Sequence, residues 1–205
     1  MNNDICNFNV TSFPGHIYII HDLIDETFCE DMRNIIDEQS KYTTDTYSAG
    51  SNVICNSTSL LELSTDNILI KQHISLFLTG YVRAIVSIIN NVDSNIFNNF
   101  IPTISHVEIR RIYGATKEHI DGINTTDPRI LTCIILLNDD YDDGIFSFPT
   151  LNVTFKPKKG DIILFPPYWT HPHCVSTPTN GFRYTINFWY SHSTAEDTDT
   201  NFSIL

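Results

Sequence analysis

The sequence predicts an α+β, mainly β protein, a double-stranded β-helix (jelly roll) preceded by N-terminal support helices. Three observations lead there. After Pro102, short apolar runs recur at regular spacing with turn residues between them, the pattern of a double-sheet β fold. Residues 130–137 (Ile-Leu-Thr-Cys-Ile-Ile-Leu-Leu) are almost wholly apolar, as a central buried strand would be. Ahead of these runs lie two stretches whose apolar residues repeat with a helical rather than an alternating period.

Taken in order, residues 16–21 form a β-branched and aromatic run that reads as an opening strand. Asp25-Glu26-Thr27 then signals a helix start, and Phe28, Met32, Ile35 and Ile36 make its apolar stripe. His16 and His21 flank the strand and read as surface or structural groups. Residues 40–60 are polar and turn-rich without a sustained period, which reads as a surface loop or, since long loops of this kind also serve as lids, as a substrate lid. Residues 67–90 carry a second helical pattern that Lys71, Gln72, His73 and Arg83 interrupt, so it is a buried support helix and not a membrane span. His73 on it reads as structural. Strands follow at 104–113, 130–137, 145–148, 152–155, 161–165 and 183–190. The acidic turn 139–144 lacks the ligand spacing of a calcium loop, and the basic turn 156–160 reads as a solvated hairpin.

The 205 residues suit one catalytic domain: a helical support and lid region over 1–100, a jelly-roll core over 101–190 and a polar tail over 191–205. A formal net charge of −12 argues against a nucleic-acid partner, which would want a basic face. Five widely spaced cysteines with no Cys-x-x-Cys fit neither a disulfide framework nor a zinc site. Residues 1–10 lack the basic start and apolar run of an export signal, so a cytoplasmic protein is expected.

The chemistry gathers between His119 and Tyr190. His119 and Asp121 form a His-x-Asp, and on extended backbone positions i and i+2 project to the same side, so both can hold one metal. A third ligand comes from His171 or His173, which share the same spacing. His173 is preferred because Arg183 follows it as a ligand on one strand is followed by a carboxylate clamp on the next; His171 would stand beside it as an outer or substrate-side group. Two histidines and a carboxylate on one face of a metal are the ligand set of a non-haem Fe(II) oxygenase. Arg183 reads as the bidentate clamp of an anionic co-substrate.

These pieces occur in the order found in a known family. Ile112-Tyr113-Gly114, His119-Ile120-Asp121, Asp143-Gly144 to Phe148-Pro149, the run Gly160 to Pro166, His173-Cys174-Val175 and Arg183-Tyr184 through Trp189-Tyr190 together resemble the Fe(II)/2-oxoglutarate-dependent dioxygenases of the prolyl 4-hydroxylase-like group. The resemblance implies that His119, Asp121 and His173 hold Fe(II). It implies that 2-oxoglutarate chelates the metal and pairs its far carboxylate with Arg183. Tyr113 would donate a hydrogen bond to that co-substrate, Thr185 and Asn187 are further candidate contacts, and Trp189 would pack near the site. With O2, the products would be succinate, CO2 and a hydroxylated substrate, with ascorbate as a supporting reductant. The carboxylate at position 121 disfavours halogenation, whose family members lack it. Two departures stand out: a short segment from Tyr113 to His119, and Ser176-Thr177-Pro178 where a proline usually follows His-x-Val directly.

The leading expectation is a hydroxylase of prolyl residues in a protein or peptide, with no nucleic-acid or membrane partner. The alternative keeps the metal chemistry and gives it a free amino acid or small metabolite. AlkB-like nucleic-acid demethylation ranks lower, because that group carries a further arginine on the last strand and Arg183 is followed by none. A non-enzymatic jelly-roll binding module would leave the triad and Arg183 unexplained.

Overall fold

The computed structural model describes residues 9–39, 44–46, 54–59, 68–94, 102–122 and 129–192. In chain order the elements are β1 (Val10–Phe13), β2 (Ile17–Ile20), α1 (Glu26–Gln39), β3 (Thr44–Thr46), β4 (Ile54–Ser59), α2 (Ile68–Val92), β5 (Pro102–Ile112), β6 (Thr116–His119), β7 (Arg129–Leu136), β8 (Asp142–Asp143), β9 (Phe146–Phe148), β10 (Val153–Phe155), β11 (Ile162–Phe165), β12 (His173–Val175), β13 (Pro178–Thr179) and β14 (Arg183–His192). A short 3-10 turn, Pro149–Leu151, joins β9 to β10. Two sheets dominate. The larger has the order β1-β2-β11-β7-β14-β5-β4-β3, the smaller β10-β9-β12-β6, and every pairing within them is antiparallel.

The two sheets enclose one apolar layer and the helices a second. Successive side chains of a strand point to opposite faces, and the large sheet uses both. On β7, Leu131, Cys133 and Ile135 join the helix-side core while Ile134 and Leu136 face the small sheet; on β11, Ile162 and Leu164 divide from Ile163 and Phe165 in the same way. Phe28, Cys29, Met32 and Ile36 of α1 and Val82, Ile85, Ile88 and Ile89 of α2 complete the helix-side layer. Phe146, Phe148, Val153 and Val175 come from the small sheet to the inner one. The unbroken apolar run of β7 is therefore what a strand covered on both faces needs.

Several expectations find their places. The jelly roll with N-terminal support helices is present, α1 and α2 match the two helical periods, and the apolar run at 130–137 lies next to β14 near the middle of the large sheet. The stretch 40–60 differs from the expected surface loop. Thr44–Thr46 and Ile54–Ser59 are strands that extend the large sheet beyond β5, with Cys55 opposite Ile112 and Ser59 opposite Glu108. A polar edge strand is stabilised by ladder hydrogen bonds that no apolar period announces. The other residues of that stretch, and with them the lid expectation, lie outside the described residues, as do positions 193–205 of the expected tail. Among the described residues no helix is long and apolar enough to cross a membrane.

Helix α1 begins at a cap that the sequence marks. Asp25 Oδ1 accepts the Phe28 amide at 2.9 Å, and Asp25 Oδ2 accepts the Tyr81 hydroxyl at 2.9 Å, so one carboxylate closes the start of α1 and ties it to α2. The Phe28 N–H is the main cause that holds this carboxyl below its ordinary value of 3.8. Asp25→Ala should lower stability by about 1 kcal/mol, measured by urea unfolding at neutral pH. Because the folded pKa is depressed, the carboxylate contributes fully above its unfolded pKa and loses its contribution as pH falls through the folded one. The gap between wild type and variant should therefore narrow in acid.

Candidate active site

The inner face of the large sheet is polar along one strand. On β14, Tyr184, Ile186, Phe188 and Tyr190 enter the helix-side core. Arg183, Thr185, Asn187 and Trp189 alternate with them and so project toward the small sheet. All four are buried, Arg183 to 2% exposure. A charged and polar row inside a jelly roll is costly unless something answers it.

Facing that row are His119, Asp121 and His173, whose candidate ligand atoms lie within 4.8 Å of one another. His119 ends β6 and His173 begins β12, and the two are directly opposite in the antiparallel ladder, with ring centroids 4.3 Å apart. Asp121 stands two residues past His119. Its Oδ1 is 3.2 Å from His119 Nε2 and 3.9 Å from His173 Nε2. The far nitrogen of each ring is fixed by a backbone carbonyl, which can only accept. His119 Nδ1 donates to Lys117 O at 2.9 Å, and His173 Nδ1 donates to His171 O at 3.2 Å. Both rings thus turn Nε2 toward Asp121, the arrangement a metal-binding imidazole requires.

Asp121 is oriented by three side chains. Its Oδ2 accepts from Thr132 Oγ1 at 2.8 Å and from Trp189 Nε1 at 3.2 Å, and its backbone carbonyl accepts from Arg129 Nη1 at 2.9 Å. Thr132 and Trp189 are themselves cross-strand neighbours on β7 and β14, and the Arg129 guanidinium lies 3.8 Å above the Trp189 ring. Oδ2 is occupied by donors and Oδ1 is left toward the histidines. Burial alone would raise this carboxyl, but the hydrogen bond from His119 and the charges of both imidazoles outweigh it and hold it well below the ordinary range. Burial also opposes charge on His119, where the hydrogen bond and charge of Asp121 prevail and raise its pKa. For His173 burial prevails and lowers it. A divalent cation between these atoms would replace the proton that His119 and Asp121 share.

The walls are apolar. Phe165 and Phe148 enclose His173, with centroids 4.6 Å and 5.5 Å from its ring. Gly122 lets the segment after Asp121 meet the loop before His171: its N–H donates to Pro167 O at 2.8 Å, and a Cβ there would stand 2.8 Å from the same oxygen. At the other end, Asn138 sets Arg183. Its amide donates to Phe182 O at 2.7 Å and its oxygen accepts the Tyr184 amide at 2.7 Å, so both peptide neighbours of Arg183 are held by one buried side chain. The Arg183 guanidinium lies 5.1 Å from the Phe146 ring. Among the described residues, Thr185 Oγ1, Asn187 Oδ1 and the Tyr141 hydroxyl are buried with no hydrogen-bond partner. A polar co-substrate that accepts and donates there would satisfy them.

The structure brings His119, Asp121 and His173 together and sets Arg183, Thr185 and Asn187 on one face of β14. Trp189, expected to pack near the site, donates to Asp121. Tyr113 packs its ring edge on Phe182, whose other neighbours are Arg111 and Tyr184. Tyr184 belongs to the helix-side core and Arg111 pairs with Asp37 of α1, so this cluster lies on the face opposite Arg183. Alternation explains it, since Ile112 is opposite Arg183 in the ladder and Tyr113 is the next residue along. His171 stands outside the metal cluster: its ring contacts Gly15 O in the β1–β2 turn and Thr170 Oγ1 at 2.8 Å. Thr132, Arg129, Gly122 and Asn138 escaped the sequence reading. The one hint for Thr132 was a lone hydroxyl inside an otherwise apolar strand.

Known proteins resemble this chain in sequence and in fold. Residues 108–191 match the family model described as the 2OG-Fe(II) oxygenase superfamily. A protein of Acanthamoeba polyphaga mimivirus, provisionally named a prolyl 4-hydroxylase, is 36% identical over 84 residues. That match covers 37% of this chain and 35% of the relative, about a third of its length. Among solved structures, the viral collagen prolyl hydroxylase of Paramecium bursaria Chlorella virus-1, in its 2-oxoglutarate complex, superposes with a TM-score of 0.61 at 18% identity, over 87% of this chain and 96% of that one. A Trichoplax adhaerens prolyl hydroxylase bound to a hypoxia-inducible-factor peptide fragment gives 0.64 at 18% identity, over 87% and 84%. A Pseudomonas putida prolyl 4-hydroxylase gives 0.60 at 13%, over 87% and 93%. The fold is that of the prolyl hydroxylases, and residues 108–191 are similar to the 2OG-Fe(II) oxygenase superfamily.

Proposed function

We propose that this protein is an Fe(II)- and 2-oxoglutarate-dependent dioxygenase that hydroxylates prolyl residues of a protein or peptide. The observation that carries the reading is the enclosed triad of His119, Asp121 and His173 facing the polar row of β14 that begins at Arg183. The donor set fits Fe(II), since two neutral imidazole nitrogens and one carboxylate oxygen converge and leave the remaining positions to other ligands. The buried Thr185, Asn187 and Tyr141 atoms without partners among the described residues fit a polar co-substrate.

Each residue then has a task. His119 and His173 would hold the metal through Nε2, and Asp121 through Oδ1. Thr132 and Trp189 would fix the Asp121 carboxylate so that the second oxygen does not swing onto the metal. Arg183 would pair the far carboxylate of 2-oxoglutarate, and Phe148 and Phe165 would keep bulk water away. Bound there, Fe(II) with 2-oxoglutarate and O2 supplies the oxidising chemistry that hydroxylates a C–H bond and leaves succinate and CO2. A peptide substrate is supported by the loop beside Gly122, where Tyr168 is 45% and Trp169 80% exposed. Exposed aromatic rings suit a proline-containing chain, whose extended conformation is already stiff.

The direct test is succinate release by the full chain with Fe(II) and ascorbate, alone and against proline-containing peptides and free amino acids. Succinate that rises only with a prolyl peptide is the expected result. A rise with a free amino acid alone would hand the site to a small-molecule substrate. Asp121→Ala should abolish Fe(II) retention measured by metal analysis after gel filtration, and His173→Ala should do far more damage than His171→Ala. The reverse order would exchange the two histidines. Trp189→Phe keeps the ring and removes one donor to Asp121, so metal should bind about tenfold more weakly by calorimetric titration. Unchanged affinity would deny Trp189 its positioning role.

A further inference from the structure

The structure assigns to Tyr141 the hydroxyl that joins Arg183 in gripping the far carboxylate of the 2-oxo acid, an inference that rests on the oxygenase reading above. Tyr141 lies in the connection from β7 to β8, outside the triad and outside β14. It is 4% exposed, and its hydroxyl oxygen is enclosed with no hydrogen-bond partner among the described residues. Buried tyrosine hydroxyls are normally paired, because the group loses its water on burial and gains nothing in return.

The ring is placed with care for a group that pairs with nothing. Lys156 Nζ lies 4.8 Å from the ring centroid and donates to the Tyr141 carbonyl, holding the residue from one side. Gly144 and Gly181 make room on others. A Cβ at Gly144 would stand 2.5 Å from Tyr141 Cε2, and one at Gly181 would stand 3.2 Å from Tyr141 Cβ. The contact with Gly181 sets Tyr141 beside the start of β14, two residues before Arg183, and the positive charge of Arg183 acts on the hydroxyl. Burial is the larger influence and pushes the phenol up to about 12. At neutral pH it is therefore an O–H donor.

The partner chemistry follows. A guanidinium and a phenol O–H are both donors, and what satisfies both is an acceptor-only group such as a carboxylate. Neighbouring carboxylates of the chain are engaged elsewhere or exposed: Asp140 binds Arg33 and Asn138, and Asp139 is exposed. Thr185 Oγ1, on the Arg183 face of β14, is a further unpartnered hydroxyl among the described residues. Tyr141 thus takes the co-substrate role that the sequence offered to Tyr113.

The test is an anaerobic titration of the Fe(II)-loaded full chain, wild type and Tyr141→Phe, followed by the visible charge-transfer absorbance of the metal chelate. One arm uses 2-oxoglutarate. The other uses 2-oxobutyrate, which has the same chelating end and no far carboxylate. Tyr141→Phe should bind 2-oxoglutarate about tenfold or more weakly and 2-oxobutyrate as wild type does. Its ligand-free melting temperature should be equal or higher, since the lost hydroxyl had no partner. Equal 2-oxoglutarate affinity in the two proteins, or an equal loss for both acids, would overturn the assignment and leave the oxygenase intact. So would a ligand-free melting temperature several degrees lower, which would reveal a structural partner. No chelate absorbance in wild type with either acid would bring down the oxygenase reading and this inference together.

Discussion

The constraint on which the molecule depends is the two-residue period of β14. One strand of ten residues serves a dry core on one face and a polar chamber on the other. Tyr184, Ile186, Phe188 and Tyr190 anchor it against the helices. That apolar face is what allows Arg183, Thr185, Asn187 and Trp189 to be held away from water, because the strand cannot turn over without exposing four large side chains. Arg183, Thr185, Asn187 and Trp189 are positioned from this strand and Thr132 from its ladder neighbour β7, while His119 and His173 reach the chamber from the small sheet.

Asp121 shows how the frame reaches the reacting groups. It belongs to no strand, and its carboxylate is fixed by donors that come from two adjacent strands of the opposite sheet. Thr132 and Trp189 lie side by side in the ladder, so the distance between their donors is a property of the sheet. The histidines are treated likewise, each with one nitrogen tied to a carbonyl two residues earlier. Local backbone geometry chooses the tautomer, and tertiary packing chooses where the free nitrogen points.

The legible part of the site was the part made of unusual residue types at short spacing. His119 and Asp121 were legible as a pair from their two-residue spacing, although the strand ends at His119, and Arg183 opens a strand whose alternation is plain in the sequence. The helices α1 and α2 and the central strand β7 were legible for the same reason, as apolar periods carry the energy of burial. Trp189 was read as near the site, but not as a donor to Asp121, because that contact depends on which residues the ladder sets across from it. Thr132, Asn138 and Arg129 are ordinary polar residues whose roles exist only once β7 and β14 are paired. Tyr113 was expected at the co-substrate because the family resemblance implied it, yet just past the end of β5 its ring packs on Phe182. The strands at 44–46 and 54–59 have too little apolar pattern to announce themselves.

The short strand β6 carries one further implication. It lies at the border of the small sheet, paired only with β12 among the described residues, and a register shift interrupts even that pairing between His173 and Val175. A border strand of four residues is the kind of segment that opens without the rest of the domain unfolding. His119 sits on it. Whatever binds His119 and His173 together also clamps the border strand to its neighbour, so occupancy of the centre and closure of that margin are thermodynamically linked. A ligand shared by the two strands is thus a fastening for the sheet margin as well as a reactant, and fraying of β6 would weaken its hold.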